Sequence, residues 1–320
     1  MATKLAVLTS GGDAPGMNAA LRSVVRAAIY RDWNVVGIAR GFAGLLEEEF
    51  RPLFRRSVGG IIHRGGTMLR TARCEAFATV EGQRQALAFL ERIGVDRLIV
   101  IGGDGSMAGA RALAEAGLPT VTIPGTIDND MAGTDYTIGF DSAVNTALQA
   151  VNMIRDTAYS HERIAIVEVM GRHSGHIALS TAAACGAEFV LVPELTFHMD
   201  DLTAKLRRCR YDGKKHGIII VAEGVMSGYE LAERLHAVTD YEPSITVLGY
   251  IQRGGAPSAY DVTTASRMGD LAVDIAAEPG AGHLIAMRDN RIVAVPYADI
   301  GDTKRGLDMQ LYQLIDELSM

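Results

Sequence analysis

Apolar runs of strand length alternate along nearly the whole chain with segments whose apolar residues recur at helical spacing, the pattern of a parallel sheet covered by helices. Strands are expected at 4–8, 34–39, 97–101, 120–123, 163–169, 188–192, 217–222 and 246–250. Helices are expected between them at 16–30, 83–93, 142–157, 175–185, 201–211 and 229–237, with a further helical pattern beginning near Met107. Toward the end, 284–287 and 292–295 flank Asp289-Asn290, which predicts a hairpin at a sheet edge, and a last helix is expected over 307–318. The fold class is therefore α/β, with helices on both faces of mainly parallel sheets.

A chain of 320 residues exceeds the usual size of one core, so two lobes are expected. No Pro/Ser-rich linker separates them, and the long helix after Gly139 is the expected crossing. No fixed-period repeat is present. The composition, 48% hydrophobic and 22% charged, excludes disorder and fibrous architecture. A net charge of -7 argues against a nucleic-acid partner, so any anion must meet a local basic cluster. Apolar runs are too short to span a bilayer, and the first residues enter a strand without a secretory leader, which makes cytoplasm the expected compartment. Cys74, Cys185 and Cys209 are odd in number and lack metal-ligand spacing, which suits a reducing compartment.

Chemistry concentrates in the loops that follow strands. Pro124-Gly125-Thr126-Ile127-Asp128-Asn129-Asp130 places a hydroxyl and two carboxylates directly after an apolar run. One carboxylate, Asp128, suits a base toward an attacking alcohol, and Asp130 suits the magnesium side of a phosphoryl transfer. Gly102-Gly103-Asp104-Gly105-Ser106 follows another apolar run, and its glycines let backbone amides approach a phosphate chain. Thr9 to Asn18 has the layout of a P-loop without its lysine and hydroxyl, because Met17 and Asn18 stand in their places. Gly103, Gly105 and Ala108 also fit a dinucleotide fingerprint, so a nicotinamide dehydrogenase is a rival reading. Against it, Asp104 would repel a pyrophosphate unless a divalent cation intervened. Arg73, Arg163, Arg172 and Arg253 recur beside small residues at strand ends and suggest a shared anion pocket. Arg22, Arg26, Arg55, Arg155, Lys214, Lys215 and His216 form a second basic group on other elements.

Together with Met170-Gly171-Arg172 and Gln252-Arg253-Gly254-Gly255, the three loops resemble those of the bacterial ATP-dependent 6-phosphofructokinase family over essentially the whole chain. The resemblance implies transfer of phosphoryl from ATP, giving ADP, to the 1-hydroxyl of fructose 6-phosphate, with Mg2+, in a cytoplasmic homotetramer. It implies an ATP-binding lobe, 1–138 with 252–304, and a sugar-phosphate lobe, 139–251 with 305–320. ATP would be held by Gly12, Arg73, Cys74, Gly103, Asp104, Gly105 and Ser106, with Asp104 and Asp130 on the metal side. Catalysis would fall to Asp128, Thr126 and Arg172, and the sugar phosphate would also meet Ile127, Met170, Gly171, Glu223, Arg253, Ser244, Tyr250 and an Arg163 reaching in from a neighbouring subunit. The second basic group, with Gly186 and Glu188, matches the family's site for an ADP or phosphoenolpyruvate effector.

Gly105 and Gly125 stand where pyrophosphate-dependent relatives tend to carry Asp and Lys, so ATP is the expected donor. Ser244 and Tyr250 replace an Arg and a His that usually grip the 6-phosphate, which implies weaker fructose 6-phosphate binding or another ketose phosphate as acceptor. Phe42 and Cys74 depart from the family on the nucleotide side, and Gly60 and Asp212 depart at the effector site. A weakly active paralogue with a regulatory role is the remaining alternative, opposed by the presence of Asp104, Asp128 and Arg172.

Overall fold

The computed structural model describes residues 2–280 and 282–319. They form two compact units: 1–127, 131–142 and 253–305 make the first, and 128–130, 143–252 and 306–320 make the second. The chain first passes into the second unit within the turn that carries Asp128.

In the first unit β1 (Lys4–Thr9) leads through α1 (Met17–Tyr30) to β2 (Asn34–Ile38), then α2 (Phe42–Leu46), β3 (Phe50–Leu53) and α3 (Val80–Arg92). β4 (Arg97–Gly102), α4 (Asp104–Glu115) and β5 (Thr120–Pro124) follow. α5 (Phe140–Ser160) begins in the first unit and continues in the second. There β6 (Ile164–Val169), α6 (His176–Cys185), β7 (Phe189–Leu191), α7 (Met199–Tyr211), β8 (Gly217–Ala222), α8 (Gly228–Val238) and β9 (Ser244–Val247) alternate. The chain returns to the first unit with α9 (Ala259–Ala277), β10 (His283–Arg288) and β11 (Arg291–Pro296), and ends in the second with α10 (Met309–Leu318).

The first sheet has seven strands in the order β11-β10-β5-β4-β1-β2-β3. Its interior pairs are parallel, while β3 and β11 run antiparallel at the two edges. Pro52 fits β3 because an edge strand does not need every ladder donor. Strand side chains alternate between faces: Ala6, Leu8, Leu98 and Val100 join Ala86, Phe89, Leu90 and Leu113 of α3 and α4 in one core cluster. Leu5, Val7, Ile99 and Ile101 are equally buried and point to the opposite face, where α1 and α9 pack against the sheet. The second sheet is all parallel, in the order β7-β8-β6-β9, with its own core around Ile166, Ile219, Val221, Leu231 and Leu235.

Several elements depart from the expectation. α9 is absent from it because its buried stripe is built from small or polar residues, among them Asp261, Thr264, Gly269 and Ala272, which carry little hydrophobic signal. α2 and β3 are also additional. α4 begins at Asp104 rather than near Met107, and β9 ends at Val247, which leaves Tyr250 in the 3-10 turn Gly249–Arg253 instead of a strand.

Candidate active site

In the first unit the chain runs outward from β1 to β2 and β3, then returns to β4 on the other side of β1. A reversal of this kind leaves a crevice beyond the carboxyl ends of β1 and β4, where ligands of open α/β sheets bind. Both glycine loops lie there, and the Thr126 loop follows β5, the next strand. The loops are bonded together: Ser10 N donates to Ile101 O at 2.9 Å, Gly125 N to Gly102 O at 2.9 Å, and Thr71 Oγ1 to Gly11 O at 2.6 Å. The last bond fixes the segment that carries Arg73 and Cys74 beside the first loop. Arg253 belongs to this unit and donates from Nη1 to Asp13 O at 3.1 Å, bracing the same loop.

Asn18 shows why the first loop is not a P-loop. Its buried amide donates to Arg64 O and Gly65 O at 3.0 and 3.2 Å and accepts from Met68 N at 2.8 Å, so the position holds a neighbouring loop instead of a metal. The second loop is the anion-ready one. Gly103 to Ser106 open α4, whose first amides point outward with the positive end of the helix dipole. A Cβ added at Gly105 would meet no protein atom within 4 Å, so the space beside it is available to a ligand. Asp104 pairs with Lys304 Nζ at 3.7 Å. Beneath α4, the rings of Phe42 and Phe77 stack with centroids 4.1 Å apart, which places Phe42 in the core.

In the second unit, Asp128 is half-buried, and its carbonyl accepts from Ser174 Oγ at 2.6 Å in the loop after β6. Asn129 takes a left-handed conformation, φ 54°, which Asn tolerates better than most residues, and Asp130 is buried. Met170, Gly171 and Arg172 sit in that same loop, and Glu223 follows β8, its Oε1 accepting from Gly171 N at 3.5 Å. Gln252 ties the turn Gly249–Arg253 to them, accepting from Met170 N at 3.3 Å and donating to Gly249 O at 3.0 Å. Tyr250 projects from this turn and is 81% exposed. Asp128, Met170, Gly171, Arg172, Glu223 and Tyr250 therefore share the carboxyl end of the second sheet.

Arg163 and Ser244 do not join them. Ser244 is paired with Ala165 at the start of β6, and Arg163 immediately precedes that strand. At about 3.3 Å per residue, the run from Arg163 to Met170 separates the two ends by roughly 20 Å. Within one chain these two residues stand at the opposite end of the second sheet from Asp128, Met170, Gly171, Arg172, Glu223 and Tyr250.

Arg163 stands instead beside the members of the second basic group that belong to this unit. A cavity of about 610 Å³ is lined by Arg163, Glu188, Lys214, Lys215 and His216, among others. Glu188 is buried, ion-paired with Lys214, and accepts from Ile218 N. Arg155 donates to the carbonyls of Cys185 and Gly186, and His216 meets the Tyr159 ring edge-on at 5.1 Å. Arg22 and Arg26 lie one turn apart on α1, with Arg55 after β3, all in the first unit. Burial, then the neighbouring Arg26 charge, lowers the pKa of Arg22.

Ser174, Thr71 and Gln252 are the positioning residues that sequence reasoning passed over or left without a role. Among the described residues no group of three or more His, Cys, Asp or Glu gathers as a metal site, and no helix is long and apolar enough to cross a membrane. Mg2+ is commonly held by one or two carboxylates together with substrate phosphates, and Asp104, at the start of α4 beside the open space at Gly105, offers such a carboxylate.

Glycine loops at adjoining strand ends, followed by a turn bearing a hydroxyl and carboxylates, define a phosphotransferase of the doubly wound α/β class. The chain belongs to the phosphofructokinase family, whose model matches residues 4–276. It is 52% identical over 317 residues to the ATP-dependent 6-phosphofructokinase of Bacillus subtilis (strain 168), covering 99% of both chains. It is 53% identical over 317 residues to that of Listeria monocytogenes serovar 1/2a, with the same coverage. Among solved structures, phosphofructokinase from Saccharomyces cerevisiae superposes with TM-score 0.85 at 36% identity, over 92% of this chain and 44% of that one. The present chain thus spans less than half of the yeast chain. A pyrophosphate-dependent phosphofructokinase from Marinobacter aquaeolei, 22% identical with TM-score 0.86 over 96% of this chain and 86% of that one, shares the fold. Family membership leaves no place for the nicotinamide dehydrogenase reading.

Proposed function

We propose that the chain phosphorylates fructose 6-phosphate on its 1-hydroxyl with ATP, in the cytoplasm, as a glycolytic enzyme. The observation that carries this reading is the set of three bonded loops at the ends of β1, β4 and β5, with open space beside Gly105. Gly12 and the segment Gly103 to Ser106 would receive the triphosphate, with Arg73 and Cys74 flanking it. Asp128 would take the proton of the attacking hydroxyl, while Thr126 and Arg172 would stabilise the transferred group's spread charge and Ile127 would shape the turn. Asp104 and Asp130 would hold Mg2+, which neutralises phosphate charge when bound.

Met170, Gly171, Glu223, Tyr250 and Arg253 would hold the sugar phosphate, with Arg163 and Ser244 supplied by another copy in a homotetramer. Ser and Tyr donate neutral hydrogen bonds where charged donors are usual. One charge-assisted bond is worth about 1.5–3 kcal/mol, so the loss of one such bond should lower 6-phosphate affinity by about ten-fold to over a hundred-fold. Another ketose phosphate could then be the better acceptor. Arg22, Arg26, Arg55, Arg155, Gly186, Glu188, Lys214, Lys215 and His216 would receive ADP or phosphoenolpyruvate as effector.

Acceptor profiling with Mg-ATP across phosphorylated ketoses tests the reading: fructose 6-phosphate should be turned over, with a KM that falls when Ser244→Arg restores a cation. An unchanged KM in that variant removes the weak-binding claim. Asp128→Ser should cut turnover by orders of magnitude with nucleotide binding intact, and full activity there would remove the base. Phosphoryl transfer to no ketose phosphate would favour a regulatory paralogue.

A further inference from the structure

We propose that Thr137 and Asp261 are positioning residues for phosphoryl transfer: through the return segment 136–139 they fix the Thr126 carbonyl, two residues before Asp128. This rests on the reading of the 126–130 turn as the place of the chemistry. Thr137 is fully buried, and its Oγ1 donates to Thr126 O at 2.7 Å. The next residue continues the support, since Ile138 N donates to Pro124 O at 2.9 Å and forms an isolated parallel bridge with Gly125. Gly139 then turns with φ 105° so close to the first glycine loop that a Cβ there would come within 2.6 Å of Ala14 Cβ. One short segment thus backs both the Thr126 loop and the first phosphate loop.

The segment is itself clamped by a single buried carboxylate. Asp261, fully buried on α9, accepts from Tyr136 Oη at 2.7 Å and Gly139 N at 2.8 Å through Oδ1. Through Oδ2 it accepts from Ser142 N at 2.8 Å and Ser142 Oγ at 2.6 Å. These donors bracket 136–139 on both sides. A carboxylate is removed from water only when its lone pairs are met, and here the bonds converge on one stretch of backbone. Asp261 is fixed in turn: its own amide donates to Ser258 Oγ at 3.2 Å, and Ser142 Oγ accepts from Ser258 N at 2.9 Å. The route runs from α9 through the segment to the carbonyl of a residue expected beside the transferred phosphoryl group.

Thr137→Val keeps the shape of the side chain and deletes the donor. Steady-state kinetics with Mg-ATP and fructose 6-phosphate should show kcat reduced by roughly 10- to 100-fold, the loss expected of a small displacement of reacting groups. KM for ATP should stay nearly unchanged, the melting temperature should fall by no more than a few degrees, and Thr137→Ser should restore most of kcat. Normal kcat in Thr137→Val, or a loss that tracks melting temperature and is not rescued by Ser, overturns the proposal. Should Thr137→Val fail to fold, Tyr136→Phe decides: it removes one bond to Asp261 and should lower kcat by a smaller factor, and an unchanged kcat overturns the role. Asp128→Ser run in parallel separates the two failures. Retained turnover there sinks the reading of the turn itself, whereas an inactive Asp128→Ser beside a fully active Thr137→Val sinks only the support proposed here.

Discussion

Gly105 and Gly125 lie on neighbouring loops yet meet opposite surroundings. No protein atom lies within 4 Å of a Cβ at Gly105, whereas one at Gly125 would come within 3.1 Å of Met17 Cε and 3.3 Å of Ile101 Cγ2. A carboxylate at the first position therefore costs the fold little and would act on the nucleotide proposed to lie there. We expect Gly105→Asp to leave the melting temperature unchanged while lowering kcat/KM for ATP by at least roughly 100-fold, since like-charge contacts cost several kcal/mol. A parallel melt and ATP titration check it. Cys185 gives a second residue-scale expectation. Burial pushes its thiol up, against the opposing pull of Arg155, so thiolate is scarce at neutral pH. Iodoacetamide should label it more slowly than a free-cysteine peptide, as followed by mass spectrometry. The glycine and carboxylate loops were legible in the sequence because few structural roles demand those residues together. Ser174, Thr71 and Thr137 were not, because a hydroxyl that holds a carbonyl becomes recognisable only when folding brings in a residue 46, 60 or 11 positions away.

The helix that sequence periodicity missed, α9, is the one most closely packed on α1. Small residues hide it from a hydrophobicity pattern and allow the close approach. Ser23 Oγ donates to Ser266 O at 2.6 Å, and a Cβ at Gly269 would stand 2.7 Å from Ser23 Cβ and 2.8 Å from Ala20 O. Replacing Gly by Ala inside a helix ordinarily gains about 1 kcal/mol, but forcing atoms into a filled interface costs about 1–3 kcal/mol. Backbone is one of the atoms met, so the second effect should win. Gly269→Ala is expected to lower the melting temperature by a few degrees, with calorimetry as the measurement. The alternating strands and helices were readable because the central strands β1, β4, β5, β6 and β8 are buried on both faces. Edge strand β3, with its proline and exposed positions, lacks that signal.

Over the whole molecule, the two ends of the second sheet carry different halves of the proposed sugar-phosphate machinery. Asp128, Met170, Arg172, Glu223 and Tyr250 lie at the carboxyl end, and Arg163 and Ser244 at the amino end. If each site draws on two copies, Arg163→Ala and Asp128→Ser chains, each inactive alone, should regain activity when dissociated and reassembled together. Activity of the mixture no higher than the sum of its parts would refute sharing. The residue types announced this site, but the spacing alone, which put Arg163 in one anion pocket with Arg172, does not reveal which end of a strand a residue occupies. The separation along β6 also has a kinetic meaning. On the shared-site proposal, an isolated chain would possess the proton acceptor but lack the remote arginine for its own substrate. Specific activity should therefore decline on dilution and recover with a lag on concentration, so that the amount of protein in a cell would itself act as a throttle on flux.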